Sequence, residues 1–333
     1  GGTAQVDVLA SIFFAAMSGS ATADAASQGR ILIPHMERQG YDKGFAAGVN
    51  SASATIGAII PPSITMVIYG SLANVSVGRL LLAGIVPGLI VGIGMMLVVW
   101  FLAVRRGYPR DDYTPWTKRI WPVVSAIPAL LAPVLILGGI FSGATTPTEA
   151  GVIACAYALF LGFVVYRELK PKDMLPILAE TVEATAVPVF IIAAGSVFGF
   201  ALTTSGFGFL MQDWLRAVTD DPLVFMVIVI GLFLVIGLFV EGTAAMLIFV
   251  PIFMPLVAGF GIDQLQFAMI VIITIMVGTI TPPVGLQLFI AADIAKISVF
   301  KVDIWPFVAI TMGITILMVI FPQIVTFLPG LMR

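Results

Sequence analysis

The side chains in this chain that could do chemistry are small, oxygen-bearing and gathered at four places. Ser18-Gly19-Ser20 stands just ahead of Asp24, and Ser53 and Thr55 lead toward Pro61-Pro62. Glu241-Gly242-Thr243 interrupts a long apolar run, and Gly278-Thr279-Ile280-Thr281 leads into Pro282-Pro283. Hydroxyl, carboxyl and carbonyl oxygens are ligands for hard cations rather than for transition metals. Nucleophilic or metal-assisted catalysis needs a base beside a nucleophile, or several His, Cys or acidic ligands. With one His, one Cys and no HExxH pattern, the chain offers neither. His35 has no neighbouring ligands and reads as structural, and Cys155 sits in an apolar run, so neither a disulfide framework nor a thiolate metal cluster is expected.

Those oxygens lie in a chain that water could not solvate. Of its 333 residues 60% are hydrophobic and 10% charged, and the mean hydropathy is +1.11. Soluble domains carry about 25% charged residues, so lipid bilayer is the expected solvent and the fold class is all-α integral membrane. No basic tract suited to nucleic acid is present, which excludes that partner class. The chain starts Gly1-Gly2-Thr3 without a methionine, which reads as a fragment whose N-terminal scaffold helices are missing.

A spanning helix needs about 20 mostly apolar residues. Uninterrupted candidates are Leu80 to Val104, Pro122 to Phe141, Glu149 to Tyr166, Ile177 to Thr204 and Ile304 to Leu328. Four further segments are interrupted. Val6 to Met36 and Leu223 to Ala258 contain the Gly-bearing polar spots and read as helical hairpins, while Phe45 to Leu72 and Phe267 to Ile294 are broken by their double prolines. The expected organisation is a first-repeat hairpin, broken helix and following span over 1–104, a cytoplasmic loop over 105–120, second-repeat scaffold helices with an amphipathic connector over 121–222, and a second hairpin, broken helix and final span over 223–329.

The interrupted segments repeat. The shift that carries position 40 to 261, namely 221, aligns Gly40 with Gly261, Asp42 with Asp263, Gly57 with Gly278 and Pro61-Pro62 with Pro282-Pro283. Gly19 and Gly242 fall at nearly the same offset. Paired interrupted helices in two halves are the mark of a transporter built from repeats. Arg38 and Lys43 flank the first repeat's loop, whereas the matching loop around Asp263 has no base. By the positive-inside rule the equivalent loops lie on opposite sides, so the repeats are inverted. Basic loops at Arg105–Arg119, Arg167–Lys172 and Lys296–Lys301 all fall on one side if the two hairpins are re-entrant. A double crossing has the same parity, so the re-entrant reading rests on the polar tips.

Irregular backbone at membrane depth survives only inside protein or beside a polar cavity. Each double proline frees the carbonyls before it, here Gly57, Ala58 and Ile59, and Gly278, Thr279 and Ile280. Helices restarting after each tip present positive N-terminal ends that favour a carboxylate. One sodium pocket per repeat, beside an acidic solute, is the expected arrangement, with hydroxyls of Ser53, Thr55 and Thr281 close by. Ser18-Gly19-Ser20 also suits a plain small-residue helix contact. Asp24 and Glu241 are intramembrane acids, costly to insert and so functional by default. Asp24 could equally complement its helix dipole, and Glu241 could cap its hairpin tip. Thr146-Pro147-Thr148-Glu149 is a capping box with a structural role. Glu180 and Glu183 read as solvated, and Asp293 as a partner of Lys296.

Several of these motifs resemble one family in order and spacing. Ser18-Gly19-Ser20-Ala21-Thr22-Ala23-Asp24, Gly40-Tyr41-Asp42, Ile59-Ile60-Pro61-Pro62-Ser63, Ala83-Gly84-Ile85-Val86-Pro87-Gly88, Thr146 to Ala150 and Gly278 to Gly285 are similar to the large membrane subunit of tripartite ATP-independent periplasmic (TRAP) transporters. The likeness runs over essentially the whole chain. It implies sodium-driven import of small organic anions, such as C4-dicarboxylates or sialic and other sugar acids, across a bacterial inner membrane. It further implies a periplasmic substrate-binding protein, a small integral membrane subunit, two or more Na+ ions and an elevator-like motion. Carried over by position, the first sodium pocket is Ser18 and Ser20 with the backbone at Gly57, Ile59 and Pro62. The second is Gly242, Thr243, Gly278, Thr279 and Val284. A sodium–anion symporter of the same architecture that needs no binding protein is the alternative. An open channel suits two inverted hairpins less well.

Overall fold

The computed structural model describes residues 1–108, 116–206, 210, 218–240 and 242–331. Among them the regular structure is helical, without strands. The chain divides into two compact units, Gly1–Asp111 with Val197–Arg333, and Asp112–Ser196.

The larger unit opens on a hairpin. Helix α1 (Gly2–Ser18) stops because Gly19 takes a left-handed conformation (φ 63°) and returns its N–H to the Ala15 carbonyl, the glycine stop expected of a helix end. Ser20 then caps α2 (Ala21–Arg38) by accepting from the Ala23 N–H. The first broken helix follows. Asp42 caps α3 (Lys43–Ala54) through Oδ1, which accepts from the N–H groups of Gly44 (2.7 Å) and Phe45 (3.3 Å). A single 3₁₀ turn (Thr55–Ala58) and the Pro61-Pro62 pair interrupt the helix. It restarts as α4 (Ile64–Ala73) with Ser63 as cap. The long α5 (Val77–Arg105) comes next.

The smaller unit contains α6 (Trp116–Phe141), α7 (Pro147–Phe160) and the start of α8 (Met174–Thr204). The expected capping box opens α7, with the Thr146 N–H donating to Glu149 Oε2 (2.8 Å) and the Glu149 N–H to Thr146 Oγ1 (3.3 Å). Tyr157 and Tyr166 hydroxyls donate to the carbonyls of Pro128 and Ser125, both at 2.8 Å, tying α7 and the turn after it onto α6.

Back in the larger unit, α9 (Pro222–Phe239) and α10 (Gly242–Gly259) form the second hairpin. The second broken helix is α11 (Gln264–Gly278) with α12 (Leu286–Ala295). Asp263 caps α11 as Asp42 caps α3, its Oδ1 accepting from Leu265 (2.8 Å) and Gln266 (3.0 Å). Both Pro-Pro bonds are cis. The chain closes with α13 (Trp305–Ile320) and α14 (Gln323–Leu331). The segment Ile304 to Leu328, expected as one span, is instead bent by 64°. Pro322 supplies no N–H, and Phe321 before it leaves the helical region (φ −119°, ψ 81°).

Five helical stretches among the described residues are long and apolar enough to cross a membrane: Val77–Arg105, Val124–Phe141, Pro147–Val165, Pro222–Phe239 and Gly242–Gly259. Large apolar side chains such as Leu97, Trp100, Phe101 and Val227 are more than half exposed, as lipid-facing residues should be.

Burial places the two hairpins in register. The buried residues of α1 are Thr3, Ala4, Asp7, Val8, Ser11 and Ala15, and those of α9 are Phe225, Met226, Val229, Ile230, Phe233 and Gly237. Each pair differs by 222 positions. In the second arms Ala21, Asp24, Ala25, Gly29 and Met36 match Gly242, Ala245, Met246, Val250 and Val257 at a shift of 221. Gly242 therefore corresponds to Ala21, not to the turn residue Gly19, because it is already the first residue of its helix.

The inversion is visible along α13. At its start, the Asp303 N–H donates to the Gly44 carbonyl at the base of α3 (3.1 Å). At its far end, Gln266 Nε2 donates to the Met318 and Val319 carbonyls (3.0 and 3.2 Å) beside the Asp263 cap. About 15 residues of helix, or roughly 22 Å, separate those points. The Asp42 and Asp263 loops thus sit at opposite ends of the unit. Basic residues gather at the Asp42 end. Arg106 bonds Asp303 (2.6 Å) and lies 5.6 Å over the Phe45 ring, and Lys43 donates to the Ala295 carbonyl next to Lys296. The repeats also exchange elements reciprocally, as a pseudo-two-fold demands. Helix α2 packs on α12, and α10 on α4.

In lipid, helices associate through close packing rather than through exclusion of water. A Cβ at Gly278 would lie 2.6 Å from the Gly237 Cα, so α9 and α11 meet backbone to backbone. Gly278→Val is expected to destabilise the folded protein by about 1–3 kcal/mol, the usual cost of overpacking. Gly231→Ala, where no atom lies within 4 Å, should be neutral or slightly stabilising. Thermal unfolding in detergent checks both. Equal midpoints for the two variants would contradict the packing.

Candidate functional site

The first hairpin tip is bonded to the first break. The Ile64 N–H, opening α4, donates to the Gly19 carbonyl (3.1 Å), and a Cβ on Gly19 would lie 2.6 Å from the Pro62 carbonyl oxygen. Ser18, Ser20 and Pro62 are therefore brought together. Ser18 Oγ donates to Asp24 Oδ1 and accepts from the Ser20 N–H (3.3 Å). Asp24 is 0% exposed. Its second oxygen, Oδ2, is buried with no hydrogen-bond partner and faces Gly57, where a Cβ would stand 2.3 Å away. Only glycine allows that approach.

The freed carbonyls divide into two sets. Pro61 and Pro62 occupy the positions whose N–H groups would have served Gly57 and Ala58. Ser63 Oγ takes up the Ala58 carbonyl (2.7 Å), so that oxygen, expected to be open, is satisfied locally. The Ile59 carbonyl lies against Gly84 of α5, where a Cβ would be 2.4 Å from it, on the side facing α5. Ser53 and Thr55 do not line the tip. Ser53 Oγ accepts from Ser11 (3.0 Å) deeper in the hairpin, and Thr55 Oγ1 donates to the Ala52 carbonyl (2.6 Å).

The second tip meets the second break in the same way. The Gly285 N–H donates to the Leu238 carbonyl (3.4 Å), and Gly242 packs against Ile275 and Met276 on the last turn of α11. Thr243 follows on the first turn of α10, half-buried. Of the carbonyls expected to be free, Gly278 accepts from the Thr281 N–H (3.0 Å) and Thr279 from the Gln287 N–H (3.1 Å). Thr279 Oγ1 also reaches Gln287 Oε1, and Thr281 Oγ1 donates to the Val277 carbonyl (2.6 Å). Gly285 is left-handed (φ 51°), and the Thr279 and Thr281 carbonyl oxygens converge within 3.1 Å of where its Cβ would stand. Val284 is 39% exposed. Glu241 lies outside the described residues.

Each tip–break pair brings two helix C-terminal ends, rich in carbonyl oxygen, beside two helix N-terminal ends. The first set suits a cation and the second an anion. Ser63 and Gln287 were not singled out by sequence. A serine directly after Pro-Pro is an N-cap signal, and a glutamine in an apolar helix is a polar group needing a partner, so both were readable. His35 bonds Gln39 (3.2 Å) at the surface, and Asp293 pairs with Lys296 (3.0 Å), as expected.

A family model described as the DctM component of the tripartite ATP-independent periplasmic transporter matches residues 1–324. The chain is 37% identical to the sialic acid TRAP transporter large permease protein SiaM of Vibrio cholerae, over 99% of this chain and 78% of that protein. It is 38% identical to the C4-dicarboxylate TRAP transporter large permease protein DctM of Pseudomonas aeruginosa, over 88% of this chain and 69% of that protein. It is 36% identical to the sialic acid TRAP transporter permease protein SiaT of Haemophilus influenzae, whose length it spans to about half (54%).

The Asp24–Gly57 contact is testable by a double-mutant cycle. Gly57→Ala drives a methyl group into the carboxylate and should lower the unfolding midpoint. Adding Asp24→Ala removes the obstructing atoms and should recover part of that loss, with a coupling of about 0.5–3 kcal/mol. Strict additivity would place the two residues apart.

Proposed function

Because the chain belongs to the DctM-component family of tripartite ATP-independent periplasmic transporters, we propose that it carries small organic anions inward by sodium-coupled secondary transport with an elevator motion. Family membership makes it a large permease, a multi-pass protein of the bacterial inner membrane and a transporter rather than an enzyme. Carboxylates are the proposed cargo, since relatives are named for sialic acid and C4-dicarboxylates, and four helix N-termini at the tips and breaks favour an acidic solute. A small membrane subunit and a periplasmic substrate-binding protein are the proposed partners, in keeping with the words tripartite and periplasmic in the family's description.

The observation that carries the sodium reading is the meeting of each hairpin tip with the proline break of its own repeat. Discontinuous helices at a repeat interface are where secondary transporters bind coupling ions, using unwound carbonyls. Ser18, Ser20, Asp24 and the Gly57 backbone supply oxygens for one ion. Thr243 with the Thr279 and Thr281 carbonyls supplies them for a second. A cation at the first tip would also answer the buried, unpartnered oxygen of Asp24, a costly group when left alone. The motion proposed moves hairpins and broken helices together, which their mutual bonding supports, against the remaining helices.

Uptake of a labelled carboxylate into proteoliposomes holding the whole transporter tests this. Ser18→Ala and Thr243→Val should each raise the sodium concentration for half-maximal uptake by about tenfold, the loss of one ligand to a charged group, with little change in maximal rate. Unshifted sodium curves would contradict the pockets. Uptake should also require the periplasmic protein, and full activity without it would favour the sodium–anion symporter alternative.

A further inference from the structure

We propose that the first repeat holds a further sodium site, separate from the hairpin tips, built on Asp7 of α1 with Ser11, Gln28, Asn50 and Ser53. Asp7 is 0% exposed, and no cationic group among the described residues pairs with its carboxylate. Asn50 and Ser53 of α3 are the polar side chains that approach it. Ser53 continues to Ser11 (3.0 Å), and Ser11 to Gln28 Oε1 of α2 (3.3 Å). All five side chains are buried. Three helices thus converge on a carboxylate with hydroxyl and amide oxygens and no cationic side chain. A buried ionised carboxylate without a counter-charge is prohibitively costly, and acids at membrane depth mark ion pathways. A dehydrated monovalent cation with oxygen ligands answers both the charge and the unused lone pairs. Eleven residues of helix separate Asp7 from Ser18, about 16 Å along the axis, so one ion cannot serve both places.

The second repeat shows that the cluster is not required to build the hairpin. At the shift that aligns the buried faces, Asp7 corresponds to Val229 and Ser11 to Phe233. In the other two helices, Gln28 corresponds to Phe249 and Asn50 to Val271 at a shift of 221. There Phe233 and Phe249, at the positions of Ser11 and Gln28, pack edge to face (6.1 Å), and Phe233 continues through Phe253 to Phe225 and Phe267. An architecture that closes with an apolar core in one repeat and buries an acid in the other holds the acid for another purpose.

This inference takes the choice of ion from the function proposed above but uses none of the tip residues, so the two fail separately. The test is thermal unfolding of the intact transport complex across a sodium titration, with choline holding ionic strength constant. Wild type should be stabilised by sodium, since an ion bound only by the folded state raises the midpoint. Asp7→Asn and Ser53→Ala should each raise the sodium concentration for half the effect by about tenfold, and each should add to the shift caused by Ser18→Ala. Ser53→Ala keeps the carboxylate and answers the question alone if Asp7→Asn does not fold. Wild-type sodium curves for both variants, alongside a shifted Ser18→Ala curve, would overturn the Asp7 site and leave the tip sites standing. Stabilisation of wild type by acid in place of sodium, lost in Asp7→Asn, would make the site a proton site and overturn the proposal. A wild type indifferent to sodium would overturn both.

Discussion

Backbone polar groups cannot be left open in hydrocarbon, and every unusual feature of this chain answers to that constraint. Two helices are broken by double prolines that abolish the donors their own carbonyls need. The structure repairs part of the loss locally, through Ser63 at the Ala58 carbonyl and Thr281 and Gln287 at Gly278 and Thr279. It repairs another part by seating a hairpin tip on each break, with Ile64 bonding Gly19 and Gly285 bonding Leu238. What remains is a concentration of carbonyl and hydroxyl oxygen beside helix N-termini. In the function proposed above, coupling ions and an acidic solute are held by the same device that makes the breaks tolerable.

The two repeats solve the packing problem alike and the chemical problem differently. Their Asp42 and Asp263 caps and their buried faces correspond residue for residue, and only the hairpin turns differ, by one position. Yet the first repeat buries Asp7 and Asp24 where the second has Val229 and Ala245. The second repeat is closed by phenylalanine rings and by the Gly237–Gly278 approach. Inverted architecture therefore does not mean symmetric function. Both buried carboxylates among the described residues, Asp7 and Asp24, belong to the first repeat.

Much of this was legible in the sequence because the signals are local and chemical. Pro-Pro, the Asp42 and Asp263 caps and the Thr146–Glu149 box each act within a few residues, so their spacing carried over into geometry unchanged. The tip register was not legible. Gly19 and Gly242 look equivalent as letters, but one is a left-handed stop and the other a first helical residue, a distinction of backbone angle. The bend at Pro322 was hidden by hydropathy averaging, although the proline itself announced it. Asp7 was not legible as a site, because a single acid at the edge of the apolar run from Val6 carries no local motif. Only the packing of α2 and α3 around it shows that it is enclosed.

Everything rests on the two repeats entering the bilayer from opposite faces, so that the loops capped by Asp42 and Asp263 are separated by the membrane. Side-specific labelling measures this directly. In a Cys155→Ser background, Lys43→Cys and Gln264→Cys each place one thiol on an exposed loop end. With a membrane-impermeant maleimide applied to intact spheroplasts and to inverted vesicles, position 264 should react only in the former and position 43 only in the latter. Reaction of both positions from the same face would contradict the inverted arrangement and, with it, the paired sites.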